Sequence, residues 1–292
     1  MLQQAATEWE LTFDAVNEAV LCLDPAGRIL RINRVAAHWF RTAPAAAAGR
    51  DARELVFGDA ACDLWPEPAL LDAEHALTWT GSLPHLEGIF EFLASPVVQD
   101  GAVRGMILSV RDFTQQAQKE EDARQRAFFD VLTGLPNRAL LMDRLQQALA
   151  AGARSGHGVG VLFLDLDHFK AINDTLGHDA GDDTLREVAR RLGALVRRND
   201  TVSRLGGDEF VMVVSEAGSP EDMEQVAAKV IQAFDEPFRL EGRELRLGTS
   251  IGIALAPADG ADGPALLKRA DAAMYQAKRE GRSSFRWTPP IS

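Results

Sequence analysis

The sequence predicts an α+β protein of two units, in which antiparallel strands and helices follow one another along the chain. Strand-length apolar runs are joined by short turns rich in glycine, asparagine and aspartate, which is typical of antiparallel hairpins. Amphipathic segments of helical length separate those hairpins. A length of 292 residues suits about two domains of ~100–200 residues each.

The first unit covers residues 1–111 and is predicted to open with a helix at residues 9–18. Asp24-Pro25-Ala26-Gly27 suits a type I turn, because proline and glycine occupy its second and fourth positions. Asn33 suits the N-cap of a helix that reaches Phe40. The strands of this unit are predicted at residues 19–23, 28–32, 89–96 and 103–110.

Residues 112–128 link the two units. They are rich in charged and amide side chains and contain neither glycine nor proline, which predicts a helix. A 3–4 spacing of apolar positions runs through the segment but includes Glu120 and Arg124. A coiled coil and a solvated connecting helix therefore both stay open.

The second unit covers residues 129–292. Strands are predicted at residues 159–166 and 245–255, with a hairpin around Gly206 and Gly207 between them. Helices are predicted at residues 139–151, 183–196, 221–234 and 265–280. Hairpins mixed with helices predict an α+β sheet with helices packed on it.

Charge and hydropathy argue against several classes of function. A formal net charge of −12 argues against non-specific DNA or RNA binding, which needs a basic surface. No apolar run reaches the ~18 residues of a membrane span, and the N-terminus lacks a signal peptide pattern, so we expect a cytoplasmic protein. Cys22 and Cys62 form no C-x-x-C pair and are expected to be small buried side chains.

Two glycines and two carboxylates, Gly206-Gly207-Asp208-Glu209, lie between apolar strand-like segments. The glycines predict a tight turn, because glycine accepts positive φ without a Cβ clash. Asp165 lies near the end of the strand predicted at residues 159–166. If the two strands are neighbours, three carboxylates converge, and a divalent cation such as Mg²⁺ would relieve their repulsion. Metal-assisted phosphoryl or nucleotidyl transfer is the chemistry that this arrangement predicts.

Several ordered motifs of the second unit resemble those of the GGDEF family, the diguanylate cyclases. Residues 204–210 carry the family's Gly-Gly-Asp-Glu-Phe signature. The resemblance covers roughly residues 128–287. The other matching segments are residues 130–138 (DVLTGLPNR), 165–174 (DLDHFKAIND), 177–182 (GHDAGD), 250–254 (SIGIA) and 275–282 (YQAKREGR).

The resemblance implies that the protein makes cyclic di-GMP from two GTP molecules. It implies that Mg²⁺ or Mn²⁺ is held by Asp165, the Leu166 carbonyl, Asp208 and Glu209. Asp208 is also a candidate to help deprotonate the attacking 3′-hydroxyl, and catalysis would thus depend on Asp208 and Glu209.

The same resemblance implies how GTP is bound. Asn173 and Asp182 would read the guanine edge, to which an amide and a carboxylate are suited. Lys278 and Arg282, four apart and so expected on one helix face, would neutralise phosphate charge. Gly206 and Gly207 would let the backbone pass close to the nucleotide. The backbone N–H groups of Phe169 and Lys170 would also bind phosphate.

Two further expectations follow from the family. Each 3′-oxygen must attack the α-phosphate of the other GTP, so two copies must face each other as a homodimer. Arg197 and Asp200 resemble the family's R-x-x-D inhibitory site, which implies that the product cyclic di-GMP binds there and inhibits.

The first unit resembles a PAS domain over residues 7 to about 114. The features that match are residues 24–29 (DPAGRI), Asn33, residues 95–97 and the exit segment at residues 111–114. The resemblance implies a sensory and dimerising module with an antiparallel sheet and flanking helices. It also implies that this module signals through the linker helix.

The PAS ligand stays open between flavin, haem and none. The flavin-reactive cysteine motif is absent around Cys62. His75 lies where some haem-binding relatives place a ligand. Trp39, Trp65 and Trp79 suit either a flavin pocket or ordinary core packing.

Two alternatives to the cyclase stay open. One is a non-catalytic cyclic di-GMP receptor that binds only through Arg197 and Asp200. The other is a different nucleotidyl cyclase on a related fold, against which the guanine-reading pair and the product site both argue.

Overall fold

The structure is a computed structural model and describes residues 2–58, 65, 75–240 and 243–288. The chain divides into two compact units, Met1–Glu121 and Asp122–Ser292. The α+β class predicted from the sequence is confirmed in both. Every helix in the described ranges is too short or too polar to cross a bilayer.

The first unit is built on a five-stranded antiparallel sheet. Its strand order is β2-β1-β5-β4-β3. The strands are β1 (Ala19–Leu23), β2 (Ile29–Ile32), β3 (Leu77–Leu83), β4 (Leu86–Gln99) and β5 (Ala102–Asp112). The helices are α1 (Leu2–Ala15), α2 (Arg34–Trp39), α3 (Pro44–Ala47) and α4 (Ala52–Phe57).

Asn33 anchors the start of α2 as the sequence predicts. Its side-chain oxygen accepts hydrogen bonds from the N–H groups of Ala36 at 2.9 Å and Val20 at 3.0 Å. Its amide nitrogen donates to the carbonyls of Phe13 and Glu18. The buried residue therefore ties α1, β1 and α2 together, because each of its polar atoms is satisfied.

Aromatic side chains fill the interior of the first unit. The Trp79 and Phe92 rings stack 5.2 Å apart, Phe57 contacts Trp65 edge-on, and Trp39 packs on Phe90. The three tryptophans thus pack against core phenylalanines. Cys22 is half-buried with a free thiol, and Cys62 lies outside the described residues.

Helix α5 (Thr114–Phe128) runs through the boundary of the two units. None of its described side chains is buried. Its C-terminal end is held within the second unit, where the backbone N–H of Asn137 donates to the Phe128 carbonyl at 2.9 Å. The Asn137 amide also donates to the Ala127 carbonyl at 3.0 Å.

The second unit is built on a five-stranded sheet ordered β12-β11-β6-β8-β7. Its strands are β6 (Gly158–Asp167), β7 (Thr201–Gly206), β8 (Glu209–Ala217), β11 (Gly248–Ala256) and β12 (Phe285–Trp287), while β9 (Phe238–Leu240) and β10 (Arg243–Leu245) form a separate hairpin. The helices are α6 (Arg138–Ser155), α7 (Phe169–Leu176), α8 (His178–Leu195), α9 (Pro220–Asp235) and α10 (Gly263–Arg279). Only the β11–β12 pair of the large sheet is parallel.

The central strand β6 separates two hydrophobic cores. Leu162 and Leu164 belong to a core that includes α8 and α9 side chains. Val161 and Phe163 belong to a core that includes α6 and α10 side chains. Since side chains alternate along a strand, Asp165 and Asp167 lie on the face that α10 covers.

The structure differs from the sequence expectations at several elements. The first helix ends at Ala15 rather than at residue 18, and α8 begins at His178 rather than at residue 183. The strand predicted at residues 245–255 is divided between β10 and β11. Helix α7 and the short strands β9 and β12 were not expected, because segments of three to eight residues give too few periodic positions.

Candidate active site

The glycine pair forms the predicted turn between β7 and β8. Gly206 has φ of 144° and Gly207 has φ of 53°, which an L-residue with a Cβ rarely adopts. Asp208 follows directly, and Glu209 begins β8. The turn therefore places the two carboxylates at the start of a central strand.

An ion pair between a buried arginine and a half-buried aspartate fixes this turn, and sequence reasoning missed it. The Arg204 guanidinium donates to both oxygens of Asp130, at 2.9 and 3.1 Å. It also donates to the Gly207 carbonyl at 2.8 and 3.1 Å. Only 9% of the Arg204 side chain is exposed, so the charge depends on these partners.

The hairpin lies beside the end of β6. Asp165 is the register partner of Glu209, and the Leu166 N–H donates to the Asp208 carbonyl at 3.3 Å. Asp165 itself is buried. The three acids expected to hold a metal therefore sit on neighbouring strand ends.

Lys278 of α10 reaches the same place from above the sheet. Its Nζ lies 2.6 Å from Asp165 Oδ1. Burial nevertheless raises the pKa of Asp165 to about 6, since the Lys278 hydrogen bond and charge only partly offset the desolvation and the nearby Asp208 adds to it.

Glu209 lies in a similar field. Burial raises its pKa, and the negative charges of Asp271 and Asp208 raise it further. Asp271, an exposed residue of α10, is an acid that the motif comparison did not assign. Like charges held this close favour either a proton or a cation between them.

A cavity of about 240 Å³ opens at this point. Three aspartates and three basic side chains line it, together with residues at the start of α7. The full set is Asp165, Leu166, Asp167, His168, Phe169, Lys170, Asp208, Lys278 and Arg282. Seven of the residues proposed from the sequence are thus brought together. Gly206, Gly207 and Glu209 belong to the hairpin but, like Asn173 and Asp182, are not part of this lining.

The expectation that Lys278 and Arg282 share a helix face is wrong. Helix α10 ends at Arg279, and Arg282 lies in the following turn with φ of 63°. Gly281 allows the helix to end there, which the spacing of two basic residues could not reveal. Both side chains still line the one cavity.

Asn173 of α7 and Asp182 of α8 lie on two successive helices. The side-chain oxygen of Asn173 sits so close to Gly181 that a Cβ at residue 181 would clash with it. Asp182 is the next residue along α8, and both side chains are half-buried. The helix pair therefore brings Asn173 against the residue that precedes Asp182, and the missing side chain of Gly181 leaves the space for the Asn173 amide.

The carboxylates of the cavity supply the oxygen ligands that a hard divalent cation prefers. Among the described residues, no three acidic, histidine or cysteine side chains are grouped so as to enclose a metal by themselves. A site of one or two carboxylates completed by substrate phosphates is the kind that Mg²⁺ uses.

Arg197 and Asp200 lie in the turn between α8 and β7, on a separate cavity of about 180 Å³. Asp200 accepts hydrogen bonds from the N–H groups of Arg197 and Ser215, both at 3.0 Å. Gln225 and Lys229 of α9 line the same cavity. The sequence did not point to Gln225 or Lys229, because only the folded sheet brings α9 beside the turn.

Comparison with known proteins identifies both units. Residues 127–284 match the family described as "Diguanylate cyclase, GGDEF domain", and residues 13–118 match the PAS fold. The chain is 45% identical over 163 residues to diguanylate cyclase TpbB of Pseudomonas aeruginosa, which is 55% of this chain and 37% of that protein. It is 31% identical over 282 residues to cyclic di-GMP phosphodiesterase PdeR of Escherichia coli, 94% of this chain and 42% of that protein.

Solved structures agree with the sequence comparison. The TpbB GGDEF domain from Pseudomonas aeruginosa has a TM-score of 0.53 and 42% identity, over 55% of this chain and 99% of that one. A coiled-coil and GGDEF fragment of DgcB from Caulobacter crescentus, in complex with c-di-GMP, has a TM-score of 0.52 and 29% identity, over 60% of this chain and 91% of that one.

The chain spans 25% of the length of the bifunctional diguanylate cyclase/cyclic di-GMP phosphodiesterase MucR of Pseudomonas aeruginosa, to which it is 47% identical over 172 residues, 59% of this chain. The match to the GGDEF family nevertheless covers more than half of this chain and contains the whole cavity described above. The chain belongs to the GGDEF diguanylate cyclase family and carries an N-terminal PAS domain.

Proposed function

We propose that the protein is a diguanylate cyclase, which condenses two GTP molecules into cyclic di-GMP and two pyrophosphates. The observation that carries the proposal is one cavity in which Asp165, Asp208 and the cations Lys278 and Arg282 meet. Nucleotidyl transfer needs carboxylates that bind a metal cation and basic side chains that bind the triphosphate, both in the same cavity.

We propose that Mg²⁺ or Mn²⁺ is held by Asp165, the Leu166 carbonyl, Asp208 and Glu209, and that it offsets the negative charge of the triphosphate when bound. The raised pKa of Asp165 and of Glu209 supports this, because crowded carboxylates are stabilised by a positive ion. Lys278 then serves the phosphates rather than Asp165.

The chain's own residues would bind and orient GTP. Lys278 and Arg282 would contact the phosphates, together with the backbone N–H groups of Phe169 and Lys170. Those two residues begin α7, where N–H groups have no acceptor within the helix and favour an anion. Gly206 and Gly207 leave the hairpin free of side chains on the nucleotide side.

Asn173 and Asp182 would select guanine. A carboxylate accepts from the N1 and N2 groups, and an amide nitrogen donates to O6. Adenine presents the opposite pattern at the same edge, so it would leave both side chains unpaired.

The reaction would proceed in two equivalent steps. The 3′-oxygen of one GTP attacks the α-phosphorus of the other, the bond to pyrophosphate breaks, and the hydroxyl proton leaves, with Asp208 as the candidate acceptor. Since each site holds one GTP, two copies of the chain must face each other as a homodimer.

We further propose regulation at both ends of the chain. Arg197 and Asp200, with Lys229 and Gln225 beside them, would bind cyclic di-GMP and inhibit the enzyme. The DgcB structure with c-di-GMP bound supports product binding by this family. The PAS domain would control how two GGDEF domains meet, with or without a flavin or haem ligand.

The test is to incubate the purified full chain with GTP and Mg²⁺ and to identify the nucleotides formed. Cyclic di-GMP is the expected product, and R197A is expected to stay active at product concentrations that inhibit the original chain. Binding of cyclic di-GMP without any turnover of GTP would instead establish the receptor alternative.

A further inference from the structure

Asp167 is a buried carboxylate to which the proposed reaction gives no role. Only 4% of the residue is exposed. Its Oδ1 accepts from Ser250 Oγ at 2.7 Å, and its Oδ2 accepts from the Ser283 N–H at 2.9 Å and from Ser283 Oγ at 3.2 Å. All three donors are uncharged. These three hydrogen bonds compensate the burial of the carboxylate and hold it in one orientation, and two of them come from Ser283.

The turn after α10 is the second unusual feature. Gly281, Arg282 and Ser283 have φ values of 130°, 63° and 43°. Two consecutive residues with side chains in the left-handed region are costly and persist only when their surroundings hold them. Arg282 belongs to this turn, and its side chain lines the cavity that holds Asp165 and Lys278.

The two features meet at Ser283. Asp167 is the last residue of β6, and its register partner on β11 is Gly248. A Cβ at residue 248 would come within 2.9 Å of Asp167 Oδ2 and would also clash with Ser283 Oγ. The missing side chain of Gly248 therefore leaves the space in which Asp167 holds Ser283.

We propose that Asp167 is a positioning residue, which holds the turn at residues 281–283 so that Arg282 points at the triphosphate. This inference rests on the proposed function, because it takes GTP as the ligand of the cavity. Asp165 and Asp167 lie on one strand face but have different roles. Asp165 binds the cation, and Asp167 holds the turn of Arg282, which binds the phosphates.

A double-mutant cycle tests this coupling on the full chain. The probes are guanosine and a GTP analogue with a methylene bridge between the α- and β-phosphates, and binding is measured by calorimetry with Mg²⁺. We expect D167A and R282A each to weaken binding of the analogue about tenfold, the size of one charge-assisted hydrogen bond. The double variant D167A/R282A should bind about as weakly as either single variant.

Guanosine separates positioning from general damage to the fold. Its affinity should stay unchanged in D167A, since guanosine has no phosphate for Arg282. Independent losses that multiply to about a hundredfold in the double variant, or equal losses for guanosine and the analogue, would overturn the proposal.

Two serines provide a matched pair should D167A fail to fold. S283A removes one hydrogen bond to Asp167 and should weaken binding of the analogue by about threefold, near the lower limit for one neutral hydrogen bond. S284A removes a buried hydroxyl with no partner among the described residues and should bind normally. D167N keeps one acceptor and should recover most of the affinity that D167A loses. An S283A that binds normally would contradict the inference.

Failure of the proposed function gives a different result. If the original chain binds neither the analogue nor GTP, the proposed function falls and this inference falls with it. If the original chain binds and R282A weakens binding while D167A does not, only the positioning role is wrong.

Discussion

At the scale of single residues, Gly181 controls the space beside Asn173, which is proposed to read guanine. An alanine Cβ at this position would clash with the Asn173 amide, so G181A should displace the group proposed to read the base. We expect KM for GTP to rise about tenfold or more, because one specific hydrogen bond to guanine is lost. Steady-state kinetics with GTP measures this.

The same helix supplies the control for that prediction. Gly193 is an exposed residue of α8, and a Cβ there meets nothing within 4 Å. G193A should leave KM unchanged and stabilise the helix by up to about 1 kcal/mol. An unchanged KM in G181A would show that Asn173 does not read the base from this position.

Asp165 predicts a second effect at this scale, on stability. Its pKa of about 6 lies above the ordinary value of 3.8, so the folded protein binds this proton more tightly than the unfolded chain. Its contribution to stability therefore falls as pH rises from about 4 to about 6, and stays low above that. Without metal, D165N should raise the unfolding free energy by about 1–2 kcal/mol at pH ~7.5 and change it little at pH ~4.

Urea titrations at both pH values, in the presence of a chelator, measure this difference. D143N, at an exposed position of α6, should stay within about 0.5 kcal/mol of the original chain at both. D165N should also lose cyclase activity. A gain in stability with a loss of function is expected where a site crowds acidic side chains. Equal stabilisation at both pH values would contradict the assignment of the pKa.

At the scale of elements, the Asp130–Arg204 pair joins the segment after α5 to the β7–β8 hairpin. D130A would leave the Arg204 charge buried without its carboxylate, so we expect a loss of about 3 kcal/mol in unfolding free energy. Activity should fall as well, because Arg204 holds the Gly207 carbonyl of the turn. Thermal unfolding and product formation are the two measurements.

The surface pair Asp183–Arg186 is the comparison for that variant. Its side chains are 41% and 52% exposed, and D183A should cost no more than about 0.5 kcal/mol. If D130A were as mild as D183A, the Asp130–Arg204 pair would not be what fixes the hairpin.

At the scale of the whole molecule, activity should depend on the meeting of two chains. The TpbB GGDEF domain has been solved by itself, so residues 122–292 are a reasonable fragment to test. At equal low concentration, we expect this fragment to be less active per chain than the full protein, because it lacks the PAS domain proposed to dimerise. Its specific activity should rise with concentration. Equal activities at low concentration would rule out that role.

The sequence by itself determined the α+β class, the two families and the residues of the motifs. The glycine turn at Gly206-Gly207 was predictable, because positive φ is a local property of the backbone. The positions of the acids at that turn and at the end of β6 were predictable too, because each lies within one short motif. These signals need no knowledge of how distant segments pack.

Only the tertiary structure decided which residues from distant parts of the chain contact those motifs. Asp130 lies 74 positions from Arg204, and Asp167 lies 116 positions from Ser283, so no spacing in the chain announces either contact. The sequence did not point to Gly181 or Asp271 either. Gly181 matters because Asn173 of the neighbouring helix lies against it, and Asp271 matters because its charge acts on Glu209. Local conformation is written in short stretches of sequence, whereas burial and electrostatic partners arise only when the sheet and its helices are assembled.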